Sequence, residues 1–197
     1  MKASKVIHPL IVRVTHWVNA LAIGVMIVSG WAIHNAHPTL PFAIPERLTL
    51  GLGFIDALRW HLAAMWVVMA NFLAMLAFGL ASGRYVRKLL PLSFSELAAT
   101  LRDALALRLS HADLSVYNAV QKLLYLGVLA TIVLAILTGL SIWKPVQFQP
   151  LTALFGDFDA ARLTHFCAMS AIVLFILVHV AMAVVAPRTL LAMVRGR

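Results

Sequence analysis

Four apolar stretches, each long enough to cross a lipid bilayer, constrain this 197-residue chain more than any other feature. They run approximately over residues 14–33, 60–81, 123–143 and 163–186. A helix of about 20 residues covers about 30 Å of hydrocarbon and satisfies its own backbone groups there, which an isolated strand or coil cannot do. Composition agrees: 62% of residues are apolar and 12% charged, against about 45–50% and about 25% in soluble domains. The expected fold is all-α, an integral membrane four-helix bundle. Residues 1–197 read as a single membrane domain, since a bundle of that size leaves nothing over for a soluble module. The first stretch is not expected to be a cleaved signal, because it lacks a small-residue cleavage site and is too long for a signal's apolar core.

Basic residues set the expected orientation. Lys2, Lys5, Arg13, Arg84, Arg87, Lys88, Arg102, Arg108, Lys122, Arg188, Arg195 and Arg197 flank the spans on one side. Only Arg47, Arg59, Lys144 and Arg162 lie on the other. Cytoplasmic loops carry the excess of Lys and Arg, so both termini and the central loop are expected in the cytoplasm. The net charge of +9 is then a topological signal. Nucleic-acid binding is not expected, because the bases are spread over three flanks without interleaved exposed aromatics. Within the central loop, Ser93 and Glu96 read as a capping box. Phe94, Leu97, Leu101 and Leu105 follow at helical spacing, with Arg102 and Arg108 off that stripe. This predicts an amphipathic helix in the central cytoplasmic loop, lying on the membrane surface, packing on the bundle ends or docking a partner.

Four histidines fall on this frame at two depths. His165 and His179 lie fourteen residues apart on the fourth stretch, which places them on nearly the same side of one helix and roughly 21 Å apart along it. Following the alternating directions of the spans, His61 shares the outer level with His165, and His16 shares the inner level with His179. A polar ring inside lipid needs a partner, and a metal commonly supplies it. Zinc would want four protein ligands, and no Cys cluster or carboxylate shares these depths. Haem brings four nitrogens of its own and asks only for axial ligands, so one His from each side completes six-coordinate iron. With both axial positions filled, electron transfer is favoured over oxygen activation. The expected axial pairs are His61–His165 and His16–His179, hence two haems.

Several neighbouring residues admit two readings. Gly24, Gly30, Gly79, Gly127 and Gly139 either let a macrocycle approach the backbone or pack helix on helix. His8, His34, His37 and His111 are expected to be surface histidines. Cys167 is the only cysteine, so no internal disulfide forms, and it is expected to fill apolar space near the outer haem.

The chain resembles the bacterial cytochrome b561 and nickel–iron hydrogenase cytochrome b subunit family over nearly its whole length. The resemblance is carried by Arg13-Val14-Thr15-His16-Trp17, Arg59-Trp60-His61, Tyr117-Asn118-Ala119-Val120-Gln121-Lys122, and His165 with His179. Gly139-Leu140-Ser141-Ile142-Trp143-Lys144-Pro145 and Ala161-Arg162-Leu163-Thr164-His165-Phe166 point to the branch that anchors periplasmic molybdenum oxidoreductases. The resemblance implies a cytochrome b561-like domain in the bacterial inner membrane with two b-type haems. It also implies electron exchange between membrane quinone and a periplasmic redox partner such as a molybdenum oxidoreductase. Arg59 and Arg162, close to the outer ligands, are expected to pair with haem propionates or to reach lipid headgroups. Asn118, Gln121 and Lys122, at a cytoplasmic span mouth, are expected to bind quinone, cap a helix or touch headgroups. Small relatives also work alone as superoxide:ubiquinone oxidoreductases. That alternative wants a positive funnel, whereas the outer loops set four acids (Glu46, Asp56, Asp157, Asp159) against four bases. Homodimer formation is left open.

Overall fold

A computed structural model describes residues 8–90, 93, 95–96, 98–99, 102 and 119–196. Its helices are α1 (Leu10–Ala36), α2 (Phe54–Ala81), α3 (Arg84–Leu89), α4 (Ala119–Trp143), α5 (Gln149–Leu154), α6 (Phe158–Val185) and α7 (Pro187–Arg195), with one 3₁₀ turn at Glu46–Leu48. No strand occurs among the described residues. The four long helices are the four expected spans. Each begins about a turn earlier than the apolar stretch alone suggests, because start signals rather than hydropathy fix the ends. Pro9 precedes α1, Gly53 precedes α2, and the Asp157 carboxylate accepts from the Ala160 N–H at 2.7 Å to start α6.

The bundle is built from two hairpins. α1 packs along α2, and α4 packs along α6. At mid-depth Phe72 of α2, Ile132 of α4 and Ile172 of α6 are buried together, with Ile23 of α1 against them. Most other apolar side chains face outward: Leu21, Leu73, Leu174 and Leu177 are each at least 60% exposed. In water that surface would be untenable, and lipid is the solvent it fits.

The end carrying the termini is called inner below, following the charge pattern. There the Arg13 side chain donates to the carbonyls of Met193 (3.3 Å) and Val194, and the His8 N–H donates to the Gly196 carbonyl at 3.4 Å. A guanidinium at the C-terminus of α7 answers both its orphan carbonyls and its dipole. α7 leaves Leu190, Leu191 and Val194 exposed on one side while Ala192 is buried, the pattern of a helix lying in a membrane interface. Between α2 and α3, Gly83 takes the left-handed conformation (φ 61°) that closes the turn. Tyr85 then folds back over Gly79, leaving no room there for a side chain. Its hydroxyl donates to the Met75 carbonyl at 3.2 Å. Burial raises the Tyr85 phenol above its ordinary range, with Arg84 acting against the shift.

In the central loop, Ser93 Oγ accepts from the Glu96 N–H at 3.4 Å, one half of the expected capping box. Ser95, Glu96, Ala98, Ala99 and Arg102 are helical. The stripe of Phe94, Leu97, Leu101 and Leu105 lies outside the described residues, as do His111 and Asn118.

Candidate functional site

The four histidines meet in the two expected pairs. The His61 and His165 rings lie 6.3 Å apart between centres, and those of His16 and His179 lie 6.0 Å apart. Two metal–nitrogen bonds of about 2 Å plus roughly 1 Å from each nitrogen to its ring centre make about 6 Å, the ring spacing that one metal ion between two facing imidazoles would require. No third His, Cys, Asp or Glu joins either pair among the described residues. The donor set therefore suits a metal that brings its equatorial ligands with it, as haem does.

The outer pair stands in an apolar cavity of about 350 Å³. Its walls repeat. Ile23, Met26, Ile27, Gly30 and Ile33 of α1 have counterparts in Ile132, Ala135, Ile136, Gly139 and Ile142 of α4 at a constant spacing of 109. On the second helix of each hairpin, His61, Leu62, Met65 and Val68 correspond to His165, Phe166, Met169 and Ile172 at a spacing of 104. Ala57 and Ala161, one turn before each histidine, are both 0% exposed. The two hairpins thus repeat one pattern around the cavity, and the outer site lies where they face each other.

Each copy holds its histidine in the same way. His61 Nδ1 lies 2.9 Å from Ser29 Oγ, and His165 Nδ1 lies 2.9 Å from Thr138 Oγ1. Ser29 and Thr138 do not stand out in the sequence, although Gly30 and Gly139 beside them do, and the signal that finds them is the repeat Ser29-Gly30 and Thr138-Gly139. A Cβ built on Gly30 would meet His61 Cε1 at 3.4 Å, and one on Gly139 would meet His165 Cε1 at 3.3 Å. These two glycines are where the imidazole edges lie against backbone. Gly24 and Gly127 have nothing comparably close.

Arg162 and Arg59 part company. Both pair with an aspartate three residues earlier, Arg162 with Asp159 at 3.4 Å and Arg59 with Asp56 at 3.1 Å. The Arg162 side chain is 26% exposed, the Arg59 side chain 77%. Arg162 lines the cavity and donates to the His37 carbonyl at 2.7 Å, whereas Arg59 does not line it. Register explains this: Arg162 precedes its histidine by three residues and shares its helix face, while Arg59 precedes by two and points away.

His34 corrects a sequence expectation. It is 4% exposed rather than at the surface. Its Nε2 meets the Phe42 carbonyl at 3.0 Å and its Nδ1 accepts from the Thr39 N–H at 3.3 Å. Its ring packs on Phe42 and Phe166. The segment after α1 folds back and buries it, a contact that position at a span end does not reveal. His37 is exposed as expected, its ring edge-on to Phe54. Cys167 is also exposed, so it faces the lipid side rather than the cavity.

The inner pair has different surroundings. His179 stacks on Phe175 at 5.7 Å and 14°, and His16 meets Trp17 edge-on at 5.2 Å. Asn71 donates to the Thr15 carbonyl at 2.7 Å beside them. Asn19 Oδ1, one turn along from His16, and Arg84 Nη2 are buried with no hydrogen-bond partner among the described residues. Such orphaned groups at an inner face fit a polar or charged ligand edge arriving there. Gln121 and Lys122 lie in the first turn of α4 at this end, half-buried.

An apolar four-span bundle with one imidazole pair at each depth defines a class, the membrane b-type cytochromes. The model of the prokaryotic cytochrome b561 family matches residues 7–196, and the chain belongs to that family. It is 50% identical over 190 residues to YedZ1 of Azospira oryzae, described as a candidate protein-methionine-sulfoxide reductase subunit; the match covers 96% of each chain. No solved structure matches the chain. Membership makes this a multi-pass bacterial membrane protein of a haem b family.

Proposed function

We propose that the protein is a di-haem b electron-transfer subunit of the inner membrane, exchanging electrons between the quinone pool and a periplasmic oxidoreductase. The observation that carries this reading is the pair of two-imidazole sites at separate depths, each spaced for one metal and lacking any third protein ligand among the described residues. His61 and His165 would hold one haem, His16 and His179 the other. When bound, each supplies a one-electron iron couple in a site closed to oxygen coordination.

The chain's own residues do the rest. The apolar walls around Ile27, Ile136 and Met169 exclude water from the outer pair. Arg162, half-buried at the rim of the same cavity, would bind a propionate there, while Arg59 stays at the surface. Arg162 also borders a shallow outer pocket with Asp157, Asp159, Pro38 and Thr39. At the inner end, Gln121 and Lys122, with Asn118, are the proposed quinone contacts. The relative's name directs the partner choice toward a periplasmic reductase of methionine sulfoxide in proteins, and the family branch toward a molybdenum enzyme. The outer loops balance acids and bases, which favours a docked redox protein over steering of superoxide.

A reduced-minus-oxidised spectrum of purified protein with a pyridine haemochrome count is the test. Two low-spin b haems per chain are expected. A well-folded preparation that takes up no haem in the presence of excess haem would sink the reading.

A further inference from the structure

We infer that Ser29 and Thr138 are positioning residues for the outer pair, each fixing the tautomer and orientation of one axial imidazole and together lowering the potential of that site. The inference rests on the haem reading above and extends it to residues outside the ligand set.

Donor accounting fixes the direction of both hydrogen bonds. Ser29 Oγ lies 2.6 Å from the Val25 carbonyl, and Thr138 Oγ1 lies 2.7 Å from the Leu134 carbonyl. Two oxygens that close need a proton between them, so each hydroxyl spends its only proton on its own helix. The same oxygen can then only accept from histidine. Nδ1 therefore carries the hydrogen in His61 and in His165, and Nε2 of each is left with a lone pair for a metal. An imidazole whose N–H donates to an oxygen is a more basic ligand, which favours the oxidised iron.

The device is duplicated to within 0.1 Å. The Nδ1–oxygen distance is 2.9 Å in both hairpins, and the paired glycine lies 3.4 or 3.3 Å from the ring edge. Ser29 and Thr138 are both 0% exposed, although a helix needs no hydroxyl at either place. A merely structural hydroxyl would not have to recur beside a glycine and opposite a histidine in each copy.

The test compares S29A, T138A and the double variant with S29T and T138S, which keep a hydroxyl. Three readouts are taken on the purified protein: haem per chain, the low-temperature electron paramagnetic resonance of each ferric centre, and a redox titration of both. The double alanine variant is expected to shift one centre about tenfold toward the reduced form, about 59 mV for one electron, and to change the axial-ligand signal of that centre alone. S29T and T138S are expected to restore both. If haem is lost instead, affinity measured by apoprotein titration should fall about 10- to 100-fold at one site. Two haems with unchanged potentials and spectra in the double alanine variant would overturn the inference and leave the haem reading standing. A wild-type protein that binds no haem would overturn both.

Discussion

The outer and inner histidine pairs have nearly the same ring spacing, 6.3 and 6.0 Å, yet are built on different plans. The outer histidines come from equivalent positions of the two hairpins, with matching hydroxyls and glycines behind them. The inner histidines come from α1 and α6, which are not equivalent. The position that corresponds to His16 in the second hairpin is Tyr125, and the one that corresponds to His179 in the first is Met75. Only the outer pair follows the repeat. The inner site had to break the repeat, and what surrounds it is aromatic and polar rather than mirrored. The symmetric pair is the one enclosed in an apolar cavity; one turn along from His16 of the asymmetric pair, Asn19 Oδ1 is buried without a hydrogen-bond partner among the described residues.

The strongest way to break this comparison is to remove one ligand from each pair. H61A and H179A should each lose one haem of two, and the haem retained should differ in spectrum and potential between the variants. Loss of the same haem in both would contradict the pairing. Next in size, G139V places a branched side chain against the His165 ring. Overpacking of that kind costs about 1–3 kcal/mol, so outer-haem affinity should fall on the order of tenfold or more, while the inner centre titrates as before. G127V, with nothing nearby to strike, should leave both unchanged.

A smaller effect separates the two arginines. R162Q removes a positive charge from the cavity rim and should lower the potential of the outer centre several-fold in the iron equilibrium, whereas R59Q should move neither centre. Equal shifts would mean that the register argument fails. Smallest is F175L, which takes the stacked ring from His179. The expected cost is about 1 kcal/mol, roughly fivefold in inner-haem affinity, read by the same apoprotein titration.

The spans and the pairing of the four histidines were legible in the sequence because each depends on one segment at a time. Length and apolarity decide whether a helix crosses the membrane, and counting from its start gives the depth of His16, His61, His165 and His179. The fates of Arg59 and Arg162 were also there to be read, in their offsets of two and three from histidine, but proximity alone hides a rotation of the helix face. Ser29 and Thr138 were not legible in isolation. A hydroxyl bonded to its own preceding turn is ordinary in membrane helices, and only the second copy makes it conspicuous. His34 was hidden for another reason: its partners, Thr39, Phe42 and Phe166, come from a returning segment and another helix. The quinone residues stay a proposal resting on Gln121 and Lys122, since Asn118 lies outside the described part.

α6 supplies one histidine to each pair, with the buried Ile172 midway, seven residues from either. It acts as a ruler. Tilting or sliding of the other helices can part His165 or His179 from its partner, but the spacing of these two along the bundle is set by peptide geometry within one uninterrupted helix. One residue inserted beside Ile172 would add about 1.5 Å and turn His179 by about 100° away from His16. Were the two pairs to hold haem as proposed, the distance between the centres would be written into the covalent chain.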